Sequence, residues 1–246
     1  MVELGADLAI SLALVSVLLL VSVSNDLLDK GGLISAFLVG LVISLLGHWT
    51  WLMVLMTFLI VGSIATKWRY EEKVKISAEE ANDGVRGWKN VMANGGAASM
   101  VAILHYLIGG HEWSYFILCS AVSVAASDTL ASEIGSLDPR TRIITTLEAV
   151  PAGTNGGMSP TGTLAAFYGA LLIASVSTLL GAINGDTTNS VFFFSFVILF
   201  GWIGCQVDSI LGALLENRGF LGKHIVNFLS TLSGCFMALF AASRLL

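Results

Sequence analysis

Residues 127–162 read SDTLASEIGSLDPRTRIITTLEAVPAGTNGGMSPTG. Apolar runs bound them on both sides, YFILCSAVSVAA (115–126) and TLAAFYGALLIASVSTLLGAI (163–183). The tract places Asp128, Glu133, Asp138, Arg140, Arg142 and Glu148 beside a glycine-rich run. Its flanks are apolar enough to sit in lipid, where charged groups are costly and mark a functional site by default. A long apolar run, a compact polar tract and a second apolar run give helices that cross a bilayer, joined by loops that carry chemistry.

The rest of the 246-residue chain repeats that pattern. It is 55% hydrophobic and only 12% charged, against about a quarter charged in soluble domains. Its mean hydropathy is +0.83. These values describe an all-α, multi-pass integral membrane protein. Apolar runs fall near 6–23, 31–47, 50–66, 93–109, 114–131, 161–183, 190–213 and 225–243. At about 20 residues per spanning helix, they give a bundle of about eight transmembrane helices (about seven to nine within boundary error), some short or broken. The reading is a single transmembrane domain over 1–246, with 67–92 as its longest loop. The first run follows an acidic segment containing Glu3 and Asp7, without a small-residue cleavage site, so a retained span is expected and not a signal peptide. Cys119, Cys205 and Cys235 lie scattered in apolar runs, which fits small buried hydrophobes better than a disulfide framework or a zinc site. The net charge of −5 says little about partners. Nothing in the pattern points to nucleic acid. A homodimer is compatible with the sequence, which leaves the oligomeric state open.

The basic residues sort by loop. Lys30 lies between the first two spans; Lys67, Arg69, Lys73, Lys75, Arg86 and Lys89 between the third and fourth; Arg140 and Arg142 after the fifth; Arg218 and Lys223 after the seventh. The alternate loops at 47–50, 109–113 and 184–189 contain no Lys or Arg. By the positive-inside rule, both termini are expected outside and the basic loops, including 127–162, in the cytoplasm. The 67–92 loop mixes charges of both signs. It reads as a connector, partly helical across 71–81, until Arg86 and Lys89 lead into Asn94, Gly95 and Gly96. Basic side chains and backbone N–H groups at a helix start form an anion site.

Three further polar groups meet that end of the spans. Asp128 and Glu133 are five residues apart, so on an ideal helix they diverge by roughly 140°. They converge on one ion only if the helix breaks there; otherwise each meets its own partner. Gly153, Thr154, Asn155, Gly156 and Gly157 precede Ser159 and Pro160, a plausible N-cap and first helical residue. Bare backbone at such a helix start approaches a phosphate closely, although no Walker A Gly-Lys-Ser/Thr follows. Asp208, Gly212 and Glu216 stack at four-residue intervals, as do Lys223 and Asn227. Asp208 sits among apolar residues and needs a partner, either a packing ion pair or a ligand. Gly162, Ala166, Ala170 and Ala174 form a small-residue ridge for close helix packing.

The segments ASDTLASEIG (126–135), PRTRIITT (139–146), VPAGTNGGMS (150–159), VDSILGA (207–213) and VNFLS (226–230) resemble the phytyl-phosphate kinase family over nearly the whole chain, in the expected order. The resemblance implies a CTP-dependent kinase that converts a membrane-embedded isoprenyl monophosphate to its diphosphate and releases CDP. It also implies kinship with polyprenol kinases and CDP-diacylglycerol synthases. The chain departs from the family pattern at Asn90 and Glu216, where a Gln is usual.

The leading expectation is therefore a phosphotransferase with Mg²⁺ as cofactor and CTP as co-substrate. Asp128 and Glu133, with Asp208 as a third candidate, would hold Mg²⁺. Arg86, Lys89, Arg140, Arg142 and Lys223 would neutralise phosphates. Asn94, Gly95 and Gly96, and the loop of Gly153, Thr154, Asn155, Gly156 and Gly157 with Ser159, would supply backbone donors, and Asn227 would join Lys223. A cytidylyltransferase making a CDP-lipid is the alternative enzyme, and a transporter of an anionic metabolite the alternative of another class.

Overall fold

The computed structural model describes residues 4–76, 84–186 and 189–245. The apolar runs form the helices α1 (Leu4–Ser24), α2 (Lys30–Leu46), α3 (Trp49–Lys67), α5 (Trp88–Leu107), α6 (Ser114–Gly135), α7 (Pro160–Asn184), α8 (Ser190–Leu211) and α9 (Lys223–Leu245), with a short α4 (Tyr70–Lys75) after α3. Six of the long helices have the length and apolarity to cross a membrane. Of the other two, α2 is apolar but has 17 residues, and α5 carries Lys89, Asn90, Asn94 and Ser99. Between α6 and α7, a two-residue strand β1 (Arg142–Ile143) pairs antiparallel with β2 (Gly157–Met158).

Local chemistry explains the helix starts. Asp29 caps α2 by accepting from the Gly32 amide at 2.6 Å, and Ser159 caps α7 by accepting from the Gly162 amide at 3.1 Å, with Pro160 at the first helical position. Such caps satisfy amides that have no partner within the helix.

Helix α6 packs against α3, α5, α7, α8 and α9, and 17 of its 22 residues are buried. Two of its buried serines are satisfied by neighbouring backbone, Ser123 donating to the Val197 carbonyl at 2.9 Å and Ser120 to the Phe116 carbonyl at 2.9 Å, whereas Ser127 Oγ is buried with no hydrogen-bond partner. The small-residue ridge of α7 is buried as expected, at Gly162, Ala166, Ala170 and Ala174. On α8, a side chain at Gly201 or Gly204 would collide with Ser123 or Val124 of α6. Small residues let these backbones approach where dispersion must replace the hydrophobic effect. Cys119, Cys205 and Cys235 are free and buried.

Two expectations fail. Helix α6 runs unbroken from Ser114 to Gly135, so no break turns Asp128 and Glu133 toward each other. The Asn94, Gly95 and Gly96 run is not a helix start, because α5 already begins at Trp88. Its amides are engaged in intrahelical bonds; Gly95 abuts Val39 and Gly96 abuts Phe228 instead. In the 67–92 stretch, α4 supplies helix at Tyr70–Lys75 and α5 takes over from Trp88, while residues 77–83 lie outside the described residues.

The four basic loops share one end of the bundle. Arg86 donates its amide to the Leu27 carbonyl at 3.0 Å, and its own carbonyl accepts from the Asp29 amide at 3.1 Å, tying the α4–α5 loop to the α1–α2 loop. Asn217 Nδ2 donates to the Asn155 carbonyl at 2.9 Å, tying the α8–α9 loop to the glycine loop. At the opposite end, Trp51 Nε1 donates to Asp186 at 3.2 Å.

Candidate functional site

The loop-rich end opens into a polar cleft of about 180 Å³, lined from α5, α6, α7, α8, α9 and the glycine loop. That volume is several times what a single water needs. Asp128 of α6 and Asp208 of α8 meet in it, with their carboxyl groups within hydrogen-bonding reach of each other. Lys223 and Glu216 lie within electrostatic reach of both, and the Ser230 hydroxyl reaches Asp208. Asn227 Nδ2 lies 3.4 Å from Asp128 Oδ2. Asp208 Oδ2 is buried with no hydrogen-bond partner. Directly after α8, residues Gly212–Glu216 form a single π-helical turn, a feature frequent at functional sites. The turn carries Glu216 round to the cleft.

Glu133 faces a different partner. Its Oε2 accepts from Lys73 Nζ at 2.6 Å and its Oε1 from Thr66 Oγ1 at 2.8 Å. Lys73 is fully buried, and its ammonium also donates to the carbonyls of Ala65 at 2.8 Å and Thr66 at 3.1 Å. These carbonyls belong to the last turn of α3, where a cation is favourable. Three acceptors use all three ammonium hydrogens. Arg69, in the left-handed region at φ 50°, turns the chain so that α4 can deliver Lys73 there. Thr66 passes the network on: Arg86 Nη2 donates to its hydroxyl at 3.1 Å. Arg86 itself is buried, stacked over Phe58 at 5.7 Å and in contact with Gly62. Lys73 is the residue that sequence reasoning missed, because nothing local distinguishes it from Lys75 in a mixed-charge loop.

The glycine loop reaches the cleft through Gly153, Thr154, Asn155, Gly156 and Gly157. Gly156 has φ +74°, and a Cβ there would lie 2.6 Å from the Ala213 amide nitrogen and the Ser209 carbonyl oxygen. Only glycine permits both that backbone and that approach to α8. The start of α7 is already satisfied from within. Pro160 has no N–H, Thr161 N–H points to Asp138 Oδ2 at 3.3 Å, Gly162 N–H to Ser159 Oγ at 3.1 Å, and Thr163 N–H to the Ser159 carbonyl at 2.8 Å. The helix start expected as an anion site is thus filled by its own cap, although Ser159 lines the cleft.

The arginines of the 127–162 tract lie outside the cleft. Arg140 is exposed and forms a bidentate pair with Asp138, at 2.9 Å for each bond. That guanidinium, with help from Thr161, holds the Asp138 carboxyl well below the usual carboxylate range. Arg142 donates to the Leu147 carbonyl at 2.8 Å. Lys89 is exposed and lies over the Trp88 ring at 5.9 Å. The fold therefore brings together Asp128, Asp208, Arg86, Asn94, the glycine loop, Ser159, Lys223 and Asn227, with Glu133 at the cleft wall but engaged by Lys73 and Thr66, and it leaves out Lys89, Arg140, Arg142, Gly95 and Gly96. Among the described residues, no group of three or more His, Cys, Asp or Glu side chains converges as a metal site.

Residues 13–235 match the family model described as Integral membrane protein DUF92. An uncharacterised membrane protein of Methanocaldococcus jannaschii is 33% identical over 232 residues, covering 92% of this chain and 91% of the relative. One of Synechocystis sp. is 31% identical over 220 residues, covering 87% and 83%. Protein VTE6, chloroplastic, of Arabidopsis thaliana is 30% identical over 227 residues, covering 86% of this chain and 64% of that protein. No solved structure matches.

Proposed function

The chain belongs to the DUF92 family of integral membrane proteins, and from that premise we propose that it transfers a phosphoryl group from CTP to an isoprenyl monophosphate held in the membrane. The products are the isoprenyl diphosphate and CDP. The observation that carries this reading is the carboxyl pair of Asp128 and Asp208 in a polar cleft, with Asp208 Oδ2 buried and lacking a partner. Two carboxylates in contact repel each other unless they share a proton or a cation lies between them. Two carboxylates completed by substrate phosphates also suit Mg²⁺, which is rarely held by a full protein cage. Asp128 and Asp208 would hold the ion, and it would neutralise charge on the nucleotide phosphates.

The chain's own groups do the rest. Asn227 orients Asp128. Lys223 on one side of the cleft and Arg86 on the other face the remaining phosphate charge. Glu133 does not touch the ion in this scheme; through Thr66 it fixes Arg86. The acceptor is already an oxyanion, so its oxygen attacks the γ-phosphorus while the bond to the β-phosphate oxygen breaks and CDP leaves with that electron pair. No general base is needed, and positioning and charge neutralisation supply the rate. The basic loops support a cytoplasmic cleft by the positive-inside rule.

The test is purified protein in detergent with γ-labelled CTP, Mg²⁺ and a series of isoprenyl monophosphates. Label in a lipid diphosphate is expected. Label released as pyrophosphate with cytidine joined to lipid would replace the kinase by a cytidylyltransferase. No transfer with any nucleotide, together with nucleotide-independent anion uptake into liposomes, would replace it by a transporter.

A further inference from the structure

A second cavity of about 40 Å³ lies against the polar cleft, between α1, α2, α3 and α5. Its walls are Leu18, Ala36, Val39, Leu52, Phe58 and their apolar neighbours. It shares Arg86, Asn90 and Asn94 with the polar cleft, so the two cavities meet at those residues. Asn94 is only 4% exposed, and its Oδ1 has no hydrogen-bond partner while its Nδ2 donates to the Asn90 carbonyl at 2.9 Å. A buried orphan acceptor at the junction of a polar and an apolar cavity calls for a ligand group, because leaving it unsatisfied costs free energy.

Leu55, Met56 and Leu59 of α3 line this apolar groove and are only partly buried. Gly95 and Ala36 keep its inner wall low; a Cβ at Gly95 would come within 3.1 Å of Val39. At about 40 Å³ the enclosed space has room for part of one hydrocarbon chain and not for two.

We propose that this groove holds the hydrocarbon chain of a single-chain lipid monophosphate, with the phosphate at the Arg86, Asn90 and Asn94 junction. It rests on the kinase reading only for the identity of the chain, which is then isoprenoid. The polar cleft takes the nucleotide, and the junction sets the acceptor phosphate beside it. An acid phosphate oxygen, carrying its proton, would donate to Asn94 Oδ1, while Arg86 faces the anionic oxygens. Chain length is read along α1, α2 and α3 and not by the nucleotide site.

The test uses the full chain in detergent and a twenty-carbon prenyl monophosphate with a diazirine near the end of its chain, without CTP. Labelled peptides are expected from α2 and α3 around Ala36 and Met56. Met56→Trp, at a partly exposed position that tolerates bulk, should weaken labelling about tenfold, the value for losing the burial of roughly two methylene groups. Ala36→Phe, scored only if its melting temperature matches the parent, should do the same. Arg142→Ala, outside both cavities, should leave labelling unchanged. A single-chain acyl phosphate and a two-chain phosphatidate serve as competitors: displacement by the first alone supports a single-chain groove, and displacement by the second overturns it. Labelling confined to the outward residues Ile34, Leu38, Ile60 and Ile64 also overturns it, as does full labelling of both filled variants. Groove labelling without phosphoryl transfer sinks the kinase reading and not the groove; transfer without groove labelling does the reverse.

Discussion

The ammonium of Lys73 lies 2.6 Å from Glu133 Oε2, with the lysine fully buried and the carboxyl side chain only 9% exposed. One short helix is thereby pinned beneath α3 and against α6. Removing one partner of a buried pair leaves an uncompensated charge, a loss of about 3–5 kcal/mol. Glu133→Gln and Lys73→Met should each lower stability by about that amount, whereas the double variant Lys73→Met with Glu133→Leu should recover most of it. Denaturant melts in detergent check this. Equal loss in the double variant would mean that the helix α4 contact, and not the charge pair, carries the stability.

Asp128→Asn and Asp208→Asn should each reduce phosphoryl transfer at least about 100-fold, the scale for losing one electrostatic partner of a transition state. Neither should lower the melting temperature. In the parent protein, Mg²⁺ with CTP should raise the melting temperature, and in both variants that increment should vanish. Activity retained in either variant removes that residue from the proposed metal pair.

Gly156 and Gly219 have almost the same backbone conformation, φ +74° and +73°, but different surroundings. Gly156 abuts Ala213 and Ser209, whereas nothing lies within 4 Å of a Cβ at Gly219. Gly219→Ala should cost only left-handed strain, about 1–2 kcal/mol. Gly156→Ala should cost that plus the displacement of the glycine loop from α8, and transfer should fall with it. If the two variants behave alike in melting and in transfer, the loop does not depend on that approach.

Asp138 supplies a pH test outside the membrane spans. Arg140 and Thr161 depress its carboxyl relative to the unfolded chain. A depressed acid stabilises the fold above its unfolded pKa of about 3.9 and loses that contribution as the pH falls below it toward the folded value. Protection of the Thr161 amide, which points to Asp138 Oδ2, should therefore stay constant between pH 8 and about pH 5 once intrinsic exchange is removed. Asp138→Asn should reduce protection across the whole range. Hydrogen exchange read by mass spectrometry decides this, and a parent protein that loses protection already near neutral pH would refute it.

Much of the architecture was legible because lipid imposes simple rules. The apolar runs became long helices, with Ser159 and Pro160 starting α7 as their types suggest. The charge sorting also holds, since all four basic loops gather at one end. Sequence placed the α5 span at 93–109 but missed its start, because the polar first turns with Lys89, Asn90 and Asn94 look like a loop; of these Asn94 is buried and Lys89 stays exposed. Nor could sequence reveal that Arg140 is paired with Asp138 two residues away, while Arg86 reaches the cleft.

The sequence by itself determined the class of fold, the end of the bundle that carries charge, and the angle between Asp128 and Glu133 along one helix. Those follow from hydropathy and from the fixed pitch of the α-helix. Only the tertiary structure decided which carboxylates meet. Helix α6 stays straight, so Asp128 turns to Asp208 on α8 and Glu133 turns to Lys73 on α4. That choice depends on how each helix is rotated about its axis, which close packing at Gly201, Gly204 and the α7 ridge sets, and which no spacing within a single segment records.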